Sequence, residues 1–391
     1  MDSPFEQRLA ACQSRLEDDA TPLAICAPGP NLTYLTGFDE SPSERHFLLF
    51  VPHASVDAPP TFVAPAMYES QLEEGAIADI AVRLWDDADD PVAVIERTLE
   101  SFDLDLDAET GQPSVLVDDR MWATFVQDLQ ACCPSAEFGL VSDVLEPIRI
   151  RKDETELAAL RRAGDLADRV SREIRSRGEA LCGLTERELA AEIERLLIEY
   201  GGRDLAFETI VAAGPNGARP HHHSSDRPIQ RGDPIVMDFG AFVETDLPGD
   251  TQYPGDQTRT MVVGDPPEAY EEVHEIVAEA QQAAVEAVEP GVTAGDIDAV
   301  AREHITNAGY GDAFVHRTGH GVGLEVHEPP YIVADNDREL EAGMVFSIEP
   351  GIYLEDRFGV RIEDLVIVTD GGAERLNNSP RGWETGEQRD Q

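Results

Sequence analysis

His316-Arg-Thr-Gly-His320-Gly-Val-Gly-Leu-Glu-Val-His327-Glu-Pro-Pro330 places two histidines seven residues apart among glycines. Gly319, Gly321 and Gly323 carry no Cβ, so backbone here can pass close to a ligand. A histidine in an apolar run is by itself more often a satisfied structural residue than a ligand. Four acids elsewhere tip the reading: Asp238 in Pro-Ile-Val-Met-Asp-Phe-Gly-Ala, Asp256 in Gly-Asp-Gln-Thr-Arg-Thr, Glu349 in Val-Phe-Ser-Ile-Glu-Pro-Gly-Ile-Tyr, and Glu363 in Gly-Val-Arg-Ile-Glu-Asp-Leu-Val. Carboxylates in such apolar, strand-like surroundings are costly unless paired or bound to metal. Four of them with one imidazole suit two divalent cations.

The carrier segments pair in the sequence pattern. Asp238 and Asp256 belong to β-like runs over 235–242 and 257–263 joined by a loop. Glu349 and Glu363 belong to runs over 344–354 and 360–369, joined by the polar turn Glu355-Asp-Arg-Phe-Gly359. Side chains alternate along a strand, so Ser347 and Glu349 share one face while Arg361 and Glu363 share a face on the partner. Two hairpins facing each other would aim all four carboxylates at one point.

Around these runs the pattern predicts four helices: 154–177; a second capped by Thr185 with Glu188 and stopped by Gly201-Gly202; 267–288; and 294–308, capped by Thr293. Glu146-Pro-Ile-Arg-Ile-Arg-Lys152 reads as a proline-marked strand or linker and sets a domain boundary. Before it, an amphipathic opening helix (Phe5, Leu9, Cys12, Leu16) precedes short apolar strands near 23–27, 47–51, 61–64 and 114–117. The expected fold class is α/β (α+β): a small α/β N-terminal domain over 1–145 and a larger catalytic domain over 146–391, consistent with a length of 391 residues.

Charge is the most unusual bulk property. The chain has 30 basic and 78 acidic residues, net −48, and Lys152 is its only lysine. The acids are spread along the chain, which predicts a solvated surface adapted to a salt-accumulating cytoplasm, because salt shrinks the Debye length to roughly 3 Å at 1 M and relieves self-repulsion. A basic footprint for nucleic acid is missing. No apolar run approaches a membrane span, and the N-terminus lacks a basic-then-apolar leader, so a soluble intracellular chain is expected. The five cysteines are odd in number and irregularly spaced with no Cys-x-x-Cys, so neither a thiolate zinc site nor a disulfide framework is indicated.

These motifs, in this order, resemble those of the pita-bread metallopeptidases, a family that includes Xaa-Pro dipeptidase (prolidase), aminopeptidase P and methionine aminopeptidase, with creatinase as a non-metal relative. Asn31-Leu-Thr-Tyr-Leu-Thr-Gly-Phe38 resembles the creatinase/prolidase N-terminal domain, which methionine aminopeptidases lack. The resemblance implies that Asp238, Asp256, His320, Glu349 and Glu363 hold two divalent ions, with Mn²⁺ the leading choice and Co²⁺, Fe²⁺ or Zn²⁺ also compatible with an oxygen-rich ligand set. It implies hydrolysis, by a metal-bridged water, of the bond between an N-terminal residue and proline, in a homodimer. Glu349 would shuttle a proton to the leaving nitrogen, and His221 and His327 would contact the substrate or the tetrahedral intermediate. Arg361 either binds a substrate carboxylate or pairs with a neighbouring acid such as Asp364; His316 supports the site, and His222 and His223 are loop or solvent residues.

His320 to Glu349 spans 29 positions and Glu349 to Glu363 spans 14, as in prolidase-type members. Asp238 and Asp256 are 18 apart, wider than usual in the family; the excess, 244–255, predicts a longer loop able to overhang the site. Dipeptidase and aminopeptidase P both remain open. So do a non-peptidase hydrolase or lyase on the same fold and a catalytically silent binding module, although the complete ligand set weighs against the last.

Overall fold

Side chains that satisfy the first free N–H groups of a helix punctuate this chain. Ser3, Asp153, Thr185 and Thr293 each accept from the backbone N–H of Glu6, Glu156, Glu188 and Asp296, whose side chains accept from the cap backbone in return. In the computed structural model, which describes residues 3–73, 80–106, 114–249 and 251–386, these caps start helices Pro4–Asp18, Glu154–Ser176, Glu186–Glu199 and Ala294–Asn307. By its contacts the chain divides into Met1–Arg149 with Asp246–Thr251, and Ile150–Thr245 with Gln252–Gln391.

The first unit is built on a six-stranded mixed sheet. Its strands are β1 (Leu23–Cys26), β2 (Leu48–Pro52), β3 (Thr61–Pro65), β4 (Ala81–Trp85), β5 (Val115–Val117) and β6 (Phe138–Leu140), in the order β4-β3-β2-β1-β5-β6. Every residue of β1, β2, β3 and β5 is buried, whereas the edge strands β4 and β6 are mostly half-exposed. Asn31-Leu-Thr-Tyr-Leu-Thr forms a short helix, Pro30–Thr36, closed by Gly37 at φ 71°. A Cβ on Gly37 would stand 2.6 Å from Cζ of Phe5, so both conformation and packing require glycine there.

The segment expected as a strand or linker is instead part of a helix, Ser142–Arg149, which contains Pro147. Proline removes one helical hydrogen bond, but burial of Val144 and Leu145 holds the turn together. The long loop after Asp238 also departs from expectation. Asp246–Thr251 groups with the first unit, and among the described residues none of 244–255 lines the cavity described below.

In the second unit β8 (Pro234–Phe239) runs between β7 (Ile210–Ala213) and β11 (Gln257–Val262), antiparallel to both; β9 (Phe242–Glu244) and β10 (Gln252–Pro254) extend the β8/β11 ribbon as a separate pair. The other sheet has the order β13-β12-β14-β17-β18, from Glu328–Ile332, Gly319–Gly321, Val345–Ile348, Asp364–Thr369 and Gly372–Arg375. Each run expected as one strand is broken: β15 (Gly351–Leu354) pairs with β16 (Phe358–Arg361) apart from β14 and β17. The breaks fall at Glu349-Pro350 and Ile362-Glu363, so both glutamates sit where the ribbon changes sheets.

Alternation orients the acids. Ile235, Met237 and Phe239 of β8 pack into a core with Leu166, Val170, Leu189 and Ile193 of the first two helices, which turns Asp238 to the opposite face. A second core joins Ala284, Ile297 and Ala301 to Phe346, Ile348, Val366 and Val368.

Candidate active site

The carboxylates and histidines reach one cavity of about 650 Å³, within the range of small-ligand sites. Asp238, Asp256, His320, Glu349 and Glu363 all line it, with His221, His327 and Arg361. Ligand atoms of Asp256, His320 and Glu363, all buried, lie within 4.8 Å of one another. His320 Nε2 stands 3.6 Å from Asp256 Oδ2 and 3.3 Å from Glu349 Oε1. Thr258 donates to Glu363 Oε2 (2.7 Å), and Ser347 donates to Glu349 Oε1 (3.2 Å).

The His320 tautomer follows from its neighbours. Nδ1 lies 3.2 Å from the carbonyl of Gly321, which only accepts, so Nδ1 carries the proton and Nε2 turns its lone pair toward the acids. Burial pushes the His320 pKa down to about 3, leaving a neutral imidazole. Burial, followed by repulsion from Glu363, Asp238 and Glu349, raises Asp256 well above the carboxylate range. Glu363 rises for the same reasons, and burial pushes Glu349 up to about 7 against the lowering pull of Arg361. Asp238 Oδ1 is buried with no hydrogen-bond donor. A concentration of buried negative charge, an orphaned oxygen and a free imidazole lone pair fit divalent cations.

Arg361 lines the cavity but is spent inside the protein. It donates to Asp238 Oδ2 (2.7 Å), Thr258 Oγ1 (3.0 Å), Tyr353 OH (2.9 Å) and the Pro220 carbonyl (3.4 Å). Its expected alternative partner, Asp364, pairs with Arg259 instead (2.7 Å). A relay continues from Arg361. His316 Nδ1 faces the Arg317 carbonyl at 2.7 Å and is therefore protonated, so Nε2 accepts from Tyr353 OH at 2.8 Å while the Tyr353 oxygen accepts from Arg361. Tyr353 was not singled out by the sequence reading; its signal is the motif Glu-Pro-Gly-Ile-Tyr, four residues after Glu349.

His327 packs edge-on to His320, ring centroids 4.0 Å apart. His222 lies in a loop, as expected, but is not a solvent residue: its Nε2 lies 2.8 Å from Oε2 of fully buried Glu186, which also binds Ser225 and Ala213, whereas His223 is exposed beside Glu208. The glycines have a different purpose from the one expected. A Cβ would fall 1.8 Å from Ser347 O at Gly319, 2.3 Å from Pro329 O at Gly321 and 2.1 Å from Glu328 Oε1 at Gly323, so the close approach is to protein.

Residues 158–370 match metallopeptidase family M24, and residues 8–151 match the creatinase/prolidase N-terminal domain. The chain belongs to metallopeptidase family M24. It is 40% identical over 380 residues to the probable dipeptidase PepE of Mycobacterium tuberculosis, covering 96% of this chain and 95% of the relative. It is 38% identical over 364 residues to the Xaa-Pro dipeptidase of Lactobacillus delbrueckii subsp. lactis, covering 92% and 94%. Its fold superposes on a crystal structure of recombinant prolidase from Thermococcus sibiricus with TM-score 0.87 at 39% identity, covering 98% of this chain and 99% of the other. This metallopeptidase thus joins a creatinase-like N-terminal domain to a pita-bread C-terminal domain, and its family takes divalent metal ions. Among the described residues no helix is long and apolar enough to cross a membrane.

Proposed function

We propose that this metallopeptidase hydrolyses the bond between an N-terminal residue and proline, using two divalent ions, with Mn²⁺ the leading choice, held by Asp238, Asp256, His320, Glu349 and Glu363. The observation that carries the reading is the convergence of these five side chains, from separate segments, on one cavity where, among the described residues, the four carboxyl groups have one guanidinium ion pair between them, that of Arg361 with Asp238. Prolidases and Xaa-Pro dipeptidases among the relatives supply the substrate class. The creatinase-like domain is assigned to 1–145 and catalysis to 146–391.

Bound divalent ions supply Lewis acidity, lowering the pKa of water and polarising a carbonyl. The remaining work belongs to the chain. Glu349, at 16% side-chain exposure more open than Asp256 at 5%, receives a proton and returns it to the leaving nitrogen. His327 and His221, both on the cavity wall, donate to the substrate carbonyl oxygen as it gains charge. Arg361 directs four of its five N–H groups into the protein and holds Asp238 in place, while Tyr353 and His316 hold Arg361. Phe207, Ile210 and Val326 form an apolar wall that suits a pyrrolidine ring. The tertiary amide before proline offers no N–H, so recognition falls on ring shape.

The test is hydrolysis of leucyl-proline and of leucyl-prolyl-glycine in multimolar KCl, with Mn²⁺ and with chelator. Metal-dependent cleavage of either supports the reading. Stoichiometric metal without cleavage of either would replace it with a lyase or other hydrolase on this site. The same reading carries a homodimer in a salt-rich cytoplasm, which light scattering at high salt would contradict by finding a monomer.

A further inference from the structure

The segment that brings His221 to the cavity wall is gathered onto a single carboxylate. Glu186 opens the helix Glu186–Glu199, and its side chain is fully buried. Its Oε1 accepts from the backbone N–H of Ala213 (2.7 Å) and from Asn216 Nδ2 (2.9 Å). Its Oε2 accepts from His222 Nε2 (2.8 Å), the backbone N–H of Ser225 (3.0 Å) and Ser225 Oγ (2.5 Å). Five donors from four residues of one segment meet on this group, and among the described residues no lysine or arginine pairs with it. Burial opposes its charge, but the hydrogen bonds from Ala213, Ser225, Asn216 and His222 outweigh that and hold its pKa below the usual carboxylate range. The segment leaves β7 at Ala213, turns through Gly214–Ala218, and returns beside the helix start, where the Arg187 N–H donates to the Ser225 carbonyl at 3.1 Å.

His221 lies in the middle of that segment. It is exposed, and its imidazole makes no hydrogen bond among the described residues, so its neighbours set its place. On one side the Pro220 carbonyl accepts from Arg361 at 3.4 Å; on the other the His222 ring is held by Glu186. We propose that Glu186 is a positioning residue for His221: by gathering 213–225 and holding His222, it fixes where the adjacent imidazole meets the substrate oxygen. Glu186 does not line the cavity and acts only through its neighbours. The inference rests on the Xaa-Pro reading, with His221 as a donor to the substrate oxygen, and extends it to a residue outside the cavity. Glutamine keeps the shape of this side chain but not its acceptors. Whichever way its amide turns, the NH2 group faces a backbone N–H, of Ala213 or of Ser225, and neither can accept.

The experiment is a double-mutant cycle on the Mn²⁺-loaded enzyme, using whichever of leucyl-proline and leucyl-prolyl-glycine the wild type cleaves faster. It measures kcat, KM, bound metal and circular dichroism for Glu186→Gln, His221→Ala and the double variant. His221→Ala should lose about 10²-fold in kcat, the scale of one donor to the developing oxyanion. Glu186→Gln should lose about 10- to 100-fold in kcat with KM within about 3-fold and metal content full, as a small misplacement of a reacting group does. In the His221→Ala background the same substitution should cost less than about 3-fold more, because the side chain it acts through is already gone. Where Glu186→Gln does not fold, His222→Ala carries the same cycle with a smaller loss, since it removes one donor of the five. An equal loss in both backgrounds marks a carboxylate that only stabilises the fold and overturns the proposal. So does a folded Glu186→Gln with wild-type kcat, or one that has lost its metal. His221→Ala at full kcat removes the histidine's role and the positioning proposal with it, while the peptidase reading stands. A wild type that cleaves neither peptide refutes the Xaa-Pro reading, and the positioning role falls with it.

Discussion

Replacing the only lysine tests how the site is held. Lys152 Nζ donates to Glu328 Oε1 at 2.6 Å, and the two side chains are 1% and 6% exposed. Glu328 follows His327 directly, and its carboxylate fills the space that Gly323 leaves by having no Cβ. Lys152→Met keeps most of the stem volume and removes the ammonium that faces the buried Glu328 carboxylate. Breaking a buried pair from one side costs about 3–5 kcal/mol, a large share of a stability of about 5–15 kcal/mol. Replacing both partners, Lys152→Met with Glu328→Gln, removes the buried negative charge as well and should recover most of that loss, giving a coupling of about 2 kcal/mol or more. Trp383 is the one tryptophan of the second unit, so urea unfolding followed by its fluorescence, in a Trp85→Phe/Trp122→Phe background at fixed KCl, isolates the relevant transition. A single variant within about 1 kcal/mol of its parent would refute the account, because a carboxylate so deeply buried cannot lose its ammonium partner that cheaply. A variant that folds should lose kcat while keeping its metal, since what loosens is the strand behind His327.

Three further outcomes follow from the site and the surface. His320→Ala should lose both bound metal and peptidase activity, and a stoichiometric metal assay showing full content with full activity would sink the ligand assignment. Metal binding near pH 6 should release protons, because Glu349, raised to about 7, is largely protonated in the metal-free cavity while His320, lowered to about 3, is already neutral; the upward shifts of Asp256 and Glu363 act in the same direction. Affinity therefore weakens as pH falls below about 7, and calorimetry in buffers of different ionisation enthalpy would contradict this by finding no proton release. The folded fraction should rise from dilute buffer to multimolar KCl as the net charge of −48 is screened, and circular dichroism unchanged across that range would exclude salt adaptation.

The helices and the strands carrying the acids were legible because their signals are local. A cap lies three residues from its partner and a strand alternates every second residue, so Thr185 with Glu188, or Ile235 with Met237, can be read without knowing what they pack against. What stayed hidden depends on residues far away in sequence. Asp168 lies mid-helix among charged neighbours and looks like a surface acid, yet it is buried and accepts from Gln257 and the backbone of Asn378 and Ser379. The strand breaks at Glu349-Pro350 and Ile362-Glu363 arise where a ribbon changes sheets, which no period reports. The missing Cβ atoms of Gly319, Gly321 and Gly323 signal close approaches in the sequence itself, but the approaching group is Ser347, Pro329 or Glu328 and not a ligand, and only the paired strands reveal that.

Adjacent acids show why an acid-rich sequence conceals its working charges. Glu363 and Asp364 are neighbours, both fully buried, in one run of apolar residues. Asp364 is matched by Arg259 at 2.7 Å and Arg375 at 3.2 Å and accepts from Gln281, so its charge is balanced within the fold. Glu363, turned to the other face, has a hydroxyl from Thr258 but no ion-pair partner among the described residues, and it faces Asp256 and His320 across the cavity. Composition, burial and apolar context are the same for both. Only the balancing cation differs: for one it is an arginine 105 residues earlier in the chain, and for the other, on the proposed ligand assignment, it is a metal ion from solution.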